Sequence, residues 1–148
     1  MKVSDILGAK GNAVTTIRPE TAISTVVRRL KLEGIGAMVV TEGSVEGTAQ
    51  VVGIISERDI VRGLAEEGEE LLEKQVLDLM TSPVKTCTLD ANIKDIMAVM
   101  TRRRIRHLPV VEEARLVGII SIGDVVKNRL EEVELEADVL RDAYIASH

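Results

Sequence analysis

Two short stretches place a serine three residues ahead of an aspartate: Ser56-x-x-Asp59 in "VVGIISERDIV" and Ser121-x-x-Asp124 in "LVGIISIGDVV". Two chemistries suit that spacing. A serine just before a helix accepts a hydrogen bond from the amide three residues on, and an acidic residue there bonds back to the serine's own amide, forming a capping box. A carboxylate just beyond a strand end also accepts both hydroxyls of a ribose, through two charge-assisted hydrogen bonds. The roles are compatible, because a carboxylate has two oxygens. The one dense basic run, "RRRIRH" (Arg102–His107), is the other candidate. Arg102 and Arg103 suit a solvated helix end, where cations meet the negative pole of the macrodipole. Arg106 and His107 fall in the strand that follows, where charge is less expected.

Other chemistries find little support. The single Cys87 forbids an internal disulfide, and one Cys with two His, at 107 and 148, makes a closed zinc site implausible. Cys87 has no acid–base pair near it in sequence and reads as a small buried hydrophobe. Gly34-x-Gly36 precedes a strand and lacks a third glycine, so it is not a dinucleotide fingerprint. Apolar residues make up 45% and charged residues 29% of the 148-residue chain, both ordinary for a soluble globular protein. Phe and Trp are absent and Tyr144 stands alone among aromatics, so the core is aliphatic and a planar ligand has to be held between aliphatic side chains. A net charge of −5 argues against a general nucleic-acid binder. No apolar run approaches the ~20 residues of a membrane span, and the stretch "MKVSDILGAKG" is too short in apolar residues for a signal peptide. A cytoplasmic protein is expected.

The elements that carry these residues come in two copies. "VVGIISERDIV" and "LVGIISIGDVV" share seven of eleven positions at an offset of 65 residues. Upstream, "ETAISTVVRRLKLEGIGAMVV" lies opposite "DANIKDIMAVMTRRRIRHLPV" at an offset of 70, the loop "TEGSVEGTAQ" being five residues longer than its counterpart around "EEAR". "VSDIL" (Val3–Leu7) answers "VLDLM" (Val76–Met80). Ile23, Val26, Val27 and Leu30, like Ile93, Ile96, Met97 and Met100, recur with helical spacing. A β-rich run, a turn and the strand "VVGII" or "LVGII" follow, and a second helix begins at Ser56 or Ser121. Short strands near Val14–Ile17 and Val84–Cys87 complete a β-α-β-β-α unit. The expected class is therefore α/β (α+β), with a first repeat over 1–70, a second over 71–128 and a C-terminal helical extension over 129–148. Half a unit exposes an apolar sheet face, so the two repeats should pack through their sheets with pseudo-two-fold symmetry. In the extension, Val126, Leu130, Val133, Ala137, Leu140 and Tyr144 form a heptad-like stripe. Such a helix either lies back on its own domain or forms a seam with a second subunit.

With the repeat established, the chain resembles a tandem pair of cystathionine-β-synthase (CBS) domains, sometimes called a Bateman module. The residues that carry the likeness are "VGIISERDIV", "VGIISIGDVV", the "IGAMVV" and "IRHLPVV" strands, and "VLDLMTSPVKTCTLDANI" between them, spanning about Val3 to Asn128. The resemblance implies a regulatory module binding adenine-containing ligands (AMP, ADP, ATP or NAD(H)) in clefts between the two repeats, here as a stand-alone protein. It also implies that Asp59 and Asp124 take ribose, with Ser56 and Ser121 beside them. By the same likeness Ile54, Ile119, Ala37 and His107 line the adenine slot, Thr16 and Thr86 offer hydroxyls, and Arg106 and His107 face phosphates. The first copy has Gly36 and Ala37 opposite Arg106 and His107, and it carries Arg58 where the second copy has Gly123. The basic groups are thus unequally shared, yet across a two-fold interface they could converge on one central cleft.

The reading that follows is a non-catalytic sensor, with an adenine nucleotide as its regulatory ligand and neither a catalytic cofactor nor a metal. A homodimer and an unidentified regulated protein are the expected partners, with no membrane. A nucleotide-handling enzyme is disfavoured because no nucleophile–base pair is visible. A nucleic-acid binder using Arg102–His107 is disfavoured by the negative total and the lack of stacking aromatics.

Overall fold

The computed structural model describes residues 1–43 and 49–147. The middle of the longer loop assigned to the first copy, 44–48, and the second histidine, His148, lie outside them. The protein is a mixed α/β fold in two halves. Helix α1 (Val3–Lys10) leads into β1 (Thr16–Ile17), α2 (Ile23–Glu33), β2 (Ala37–Glu42), β3 (Gln50–Ser56) and α3 (Glu57–Glu67). A 3-10 turn (Gly68–Glu73) and the short α4 (Val76–Leu79) open the second half, which continues with α5 (Ile93–Arg103), β4 (His107–Glu112), β5 (Arg115–Ser121) and α6 (Ile122–Ser147).

The first sheet runs β1-β2-β3, with β1 parallel to β2 and β3 antiparallel to it. The second sheet repeats the antiparallel pair as β4-β5. Its expected first strand, Val84–Cys87, is reduced to a single parallel bridge between Cys87 and Val110. Proline explains the loss. In the first half the Val39 amide donates to Thr15 O at 3.1 Å, whereas the matching position in the second half is Pro109, which has no N–H. Only the bonds around Cys87 survive: its amide donates to Pro109 O at 3.0 Å and it accepts from the Val111 amide at 2.9 Å.

Each half has its own aliphatic core. One gathers Ile17, Ile23, Val26, Leu30, Met38, Val40, Ile55 and Ile60; the other gathers Cys87, Ile93, Ile96, Met100, Leu108, Val110, Ile120 and Val125. Helix spacing placed Val27 on the buried face, but it is 37% exposed and looks outward; the buried stripe of α2 needs only Ile23, Val26 and Leu30. The leading helices pack crosswise. Val3, Ile6 and Leu7 of α1 join the core of the second half, and Val76 of α4 joins that of the first. The sequence repeat and the packing units are therefore out of register at these two helices. The glycines that both copies place in "VGII", Gly53 and Gly118, are where the crossing happens. A Cβ on Gly53 would lie 2.8 Å from Met80 Sδ and 3.0 Å from Thr81 O, and one on Gly118 would lie 2.6 Å from Leu7 Cδ1.

The second helix of the second half and the extension are one continuous helix, α6. Gly68, with φ +65°, caps α3; the matching position in α6 is Val133, so nothing stops the helix there. Beyond Asn128 the α6 stripe is exposed, with Leu130 at 58%, Leu140 at 71% and Tyr144 at 65%. The extension touches its own repeats at its start, where Glu132 Oε1 lies 3.3 Å from the Met1 ammonium, and its stripe is not covered by them.

Candidate functional site

Both serine–aspartate pairs form the capping boxes that their spacing calls for. The Ser56 amide donates to Asp59 Oδ2 at 2.9 Å and the Asp59 amide to Ser56 Oγ at 3.4 Å. The Ser121 amide donates to Asp124 Oδ2 at 2.9 Å and the Asp124 amide to Ser121 Oγ at 3.2 Å. Each aspartate is thus fixed at the junction of a strand and a helix, with one oxygen used for capping. The surroundings of the two then diverge.

At Asp59 the outer oxygen meets only a hydroxyl, as Thr81 Oγ1 donates to Oδ1 at 3.2 Å. Thr81 is held there by a two-way backbone pairing with Ile54, at 3.1 and 2.8 Å. The carboxylate opens on a cleft of about 490 Å³. One wall comes from the end of β3 and the start of α3, with Ile54, Ser56, Arg58, Asp59 and Arg62. The other is the corner between α5 and β4, with Arg103, Arg104, Ile105, Arg106 and His107. The walls touch where Arg58 Nη1 donates to Arg104 O at 3.3 Å. Glu57 lines the cleft as well, so five arginines face two carboxylates, Asp59 and Glu57, in a chain of net charge −5. The basic run is folded into a concavity, which suits a small anion better than an extended polyanion. Burial pushes the His107 imidazole below its ordinary value and Arg106 pushes it further, against the opposing pull of Glu57 and Asp124.

Asp124 has different company. Lys10, at the end of α1, places Nζ 2.7 Å from Oδ2. Burial works to raise this carboxyl, but the hydrogen bonds from Lys10 and Ser121 outweigh it and leave the carboxyl below its ordinary value. The carboxylate borders a recess of about 140 Å³ between α1 and α6, which it shares with Lys10, Lys127 and Asn128.

Of the residues singled out in sequence, Ile54, Ser56, Arg58, Asp59, Arg106 and His107 come together in the large cleft. Thr16, Ala37, Thr86, Ile119, Ser121 and Asp124 do not line it. Thr16 sits exposed in β1 and Thr86 on the exposed approach to Cys87, while Ala37 is buried at the start of β2. The cleft adds Arg62, Thr81, Arg103 and Arg104. Arg62 follows Arg58 by one helical turn, so it shares its face. Arg103 is read above as a solvated helix end; the sharp turn after α5 instead brings it to the cleft. Cys87 is buried and donates to Pro109 O at 3.8 Å, and burial pushes its thiol up to about 11, which keeps it protonated and unreactive. Among the described residues there is no cluster of His, Cys, Asp or Glu that could hold a metal ion, and no helix is long and apolar enough to cross a membrane.

A family model described as "CBS domain" matches residues 3–66 and again 76–131. Solved structures agree over nearly the whole chain. The CBS-domain containing protein ATU1752 from Agrobacterium tumefaciens superposes with a TM-score of 0.81 at 41% identity, covering 86% of this chain and 92% of that one. The CBS domain protein PAE2072 from Pyrobaculum aerophilum, solved in complex with AMP, gives a TM-score of 0.76 at 26% identity, covering 93% and 99%. The CBS domain pair of protein MJ0100, solved with 5-methylthioadenosine and S-adenosyl-L-methionine, gives 0.76 at 25% identity, covering 89% and 98%.

Proposed function

The chain belongs to the CBS-domain family, and on that premise we propose that it is a non-catalytic sensor of an adenine nucleotide, bound in the cleft beside Asp59. The observation that carries this reading is a single concavity lined by three kinds of group. The capped Asp59 carboxylate offers acceptors to the two hydroxyls of a ribose, with Ser56 and Thr81 beside it. Arginines from both halves offer forked donors of the kind that grip phosphates. Aliphatic Ile54 and Ile105 line the same cleft, suited to the faces of a purine where no aromatic ring is available. The cleft volume of about 490 Å³ falls within the roughly 300–1,000 Å³ usual for small-molecule pockets. AMP and S-adenosyl ligands in similar proteins support the adenine class.

Both halves contribute walls, so a ligand that binds better to one relative placement of them shifts the population toward it; this differential affinity is the means of signalling. The receiver is a regulated protein or a second copy of this chain, and the exposed stripe of α6 supports a homodimer. A thermal-shift panel of AMP, ADP, ATP, NAD, NADH and S-adenosylmethionine tests the reading. A ligand at a hundred times its dissociation constant adds about 2.7 kcal/mol of stability. Replacing Asp59 with Ala removes charged hydrogen bonds of about 1.5–3 kcal/mol each, which weakens binding roughly ten- to a hundred-fold. If no member of the panel stabilises the protein, or Asp59→Ala binds as well as wild type while folded, the nucleotide reading fails. Sustained turnover of ATP, AMP or NADH that a cleft mutant abolishes would refute the non-catalytic part.

A further inference from the structure

The charge of the Asp59 cleft narrows the class of ligand further than its shape does. Arg58 and Arg62 stand on one wall, and Arg103, Arg104 and Arg106 on the other. On other faces of the molecule Arg18, Arg29 and Arg129 are each held by a glutamate at 2.9–3.2 Å. Among the described residues, none of the five cleft guanidiniums lies within ion-pair distance of a carboxylate, although the chain holds 24 acidic residues to 19 Lys and Arg. Arg58 donates to the Arg104 carbonyl at 3.3 Å, which joins the walls and neutralises nothing. Five arginines set against the carboxylates of Asp59 and Glu57 leave an excess of three positive charges. His107, held below its ordinary 6.5, adds none at neutral pH.

Like charges gathered in a concavity repel one another and draw in an anion. A monophosphate brings about −1.5 to −2 at neutral pH, which falls short of the excess, whereas a di- or triphosphate meets it. S-adenosylmethionine lacks phosphate and carries a sulfonium, which adds to the excess. Because guanidiniums enter from both walls, a chain of phosphates between them meets forked donors on either side. Magnesium works against that fit. A bound Mg²⁺ takes phosphate oxygens for itself and keeps several waters, and its charge cancels part of what the guanidiniums would meet. Resting on the sensor reading above, we propose that the cleft takes its nucleotide as a free di- or triphosphate, without a divalent cation, so that magnesium and the protein compete for the phosphate chain. Occupancy of the sensor then follows magnesium as well as nucleotide.

Calorimetric titration of the full chain with ATP, AMP and S-adenosylmethionine tests this. It is run in EDTA and in excess magnesium chloride at matched ionic strength, since screening alone weakens charged binding. In EDTA, ATP should bind more tightly than either other ligand. Excess magnesium should weaken ATP binding about ten-fold or more and leave AMP, which holds magnesium weakly, little changed. Replacing Arg62 and Arg103 together with Gln removes two guanidiniums carried by exposed residues, and should narrow both the ATP–AMP gap and the magnesium effect. AMP or S-adenosylmethionine bound as tightly as ATP in EDTA, or ATP bound equally well or better with magnesium, overturns the free-polyphosphate proposal and leaves the sensor reading standing. A folded double variant that keeps both differences in full does the same. If no adenine ligand binds under any of these conditions, the sensor reading itself falls and takes this proposal with it.

Discussion

Arg104 shows the clearest conflict between stability and use at a single residue. It ends α5 in the left-handed region, φ 54° and ψ 41°, where its counterpart after α2 is Gly34 at φ 63° and ψ 39°. A side chain there costs roughly 1–2 kcal/mol that glycine avoids. The guanidinium that comes with the strain lines the cleft, and strained backbone at such a place points to use. Arg104→Gly should therefore stabilise the fold by roughly 1 kcal/mol in denaturant melts. The same change should weaken ATP binding while sparing adenosine. Equal losses for both ligands, or none, would make Arg104 a helix end and nothing more. His107 supplies a pH test. Its imidazole, facing Arg106, Glu57, Lys10 and Asp124, is held below its ordinary 6.5, with burial the leading cause. The unfolded chain then binds the proton first, so the ligand-free protein loses stability as pH falls through about 6.5. A bound phosphate favours the imidazolium and reverses the sign for binding, so ATP affinity rises over the same interval. His107→Gln should flatten both slopes, and slopes that persist in this variant would place the titrating group elsewhere.

Among the elements, the two crosswise helices depend on two glycines. A Cβ at Gly53 meets Thr81 O at 3.0 Å as well as Met80 Sδ at 2.8 Å, whereas at Gly118 the near atoms all belong to the Leu7 side chain, Cδ1 at 2.6 Å. Backbone yields less readily than a side chain. Overpacking of this kind costs about 1–3 kcal/mol, and Gly53→Ala should lie toward the upper end with Gly118→Ala below it, as read from urea melts. Gly53→Ala should also disturb ligand binding, because the Ile54–Thr81 pairing positions the hydroxyl on Asp59. The reverse order of stability would mean that the helices, not the strand backbone, give way. The same glycines mark the boundary of what the sequence reveals. Periodicity exposes α2, α5 and both strand pairs because each buries one face against its neighbours. The capping boxes are readable because their hydrogen bonds are local. The crosswise docking of α1 and α4 is not readable, since a glycine states that something approaches closely and never says what. Arg58, Arg106 and His107 converge as the repeat asymmetry implies. Arg103 reads in the sequence as a solvated helix end and Thr81 carries no signal at all, because a turn direction, not a pattern, brings them in. Pro109 is a partial exception: its missing N–H was already in the sequence and shortens the strand at Cys87.

At the scale of the whole molecule, α6 is the feature that a lone chain leaves unexplained. Of its 26 residues, only Val125 and Asn128 are buried. Leu130, Val133 and Leu140 follow one another on a heptad-like stripe and are 58%, 45% and 71% exposed. Glu131, Glu134 and Glu136 flank the stripe, so the helix has the charged sides and apolar seam of a two-helix contact. Each large aliphatic side chain that becomes fully buried there contributes roughly 1.5–3 kcal/mol, enough for three such residues from each copy to hold a dimer. Because Leu130 and Leu140 touch little within their own chain, replacing both with Glu should leave the urea midpoint of the dilute protein nearly unchanged while weakening association. Truncation after Asn128 should weaken association as well, with some loss of stability, because it also removes the Arg129–Glu132 pair and the bridge from Glu132 to the Met1 ammonium. Light scattering over a range of concentrations reads the mass directly. A mass unaltered by either change would exclude the α6 seam, and any remaining dimer would then have to form through the repeats. A seam that does hold would join the α6 helices of two copies. Since α6 begins at the capped Ser121–Asp124 turn and packs against α1, a rearrangement of that turn would reach the partner through the helix itself.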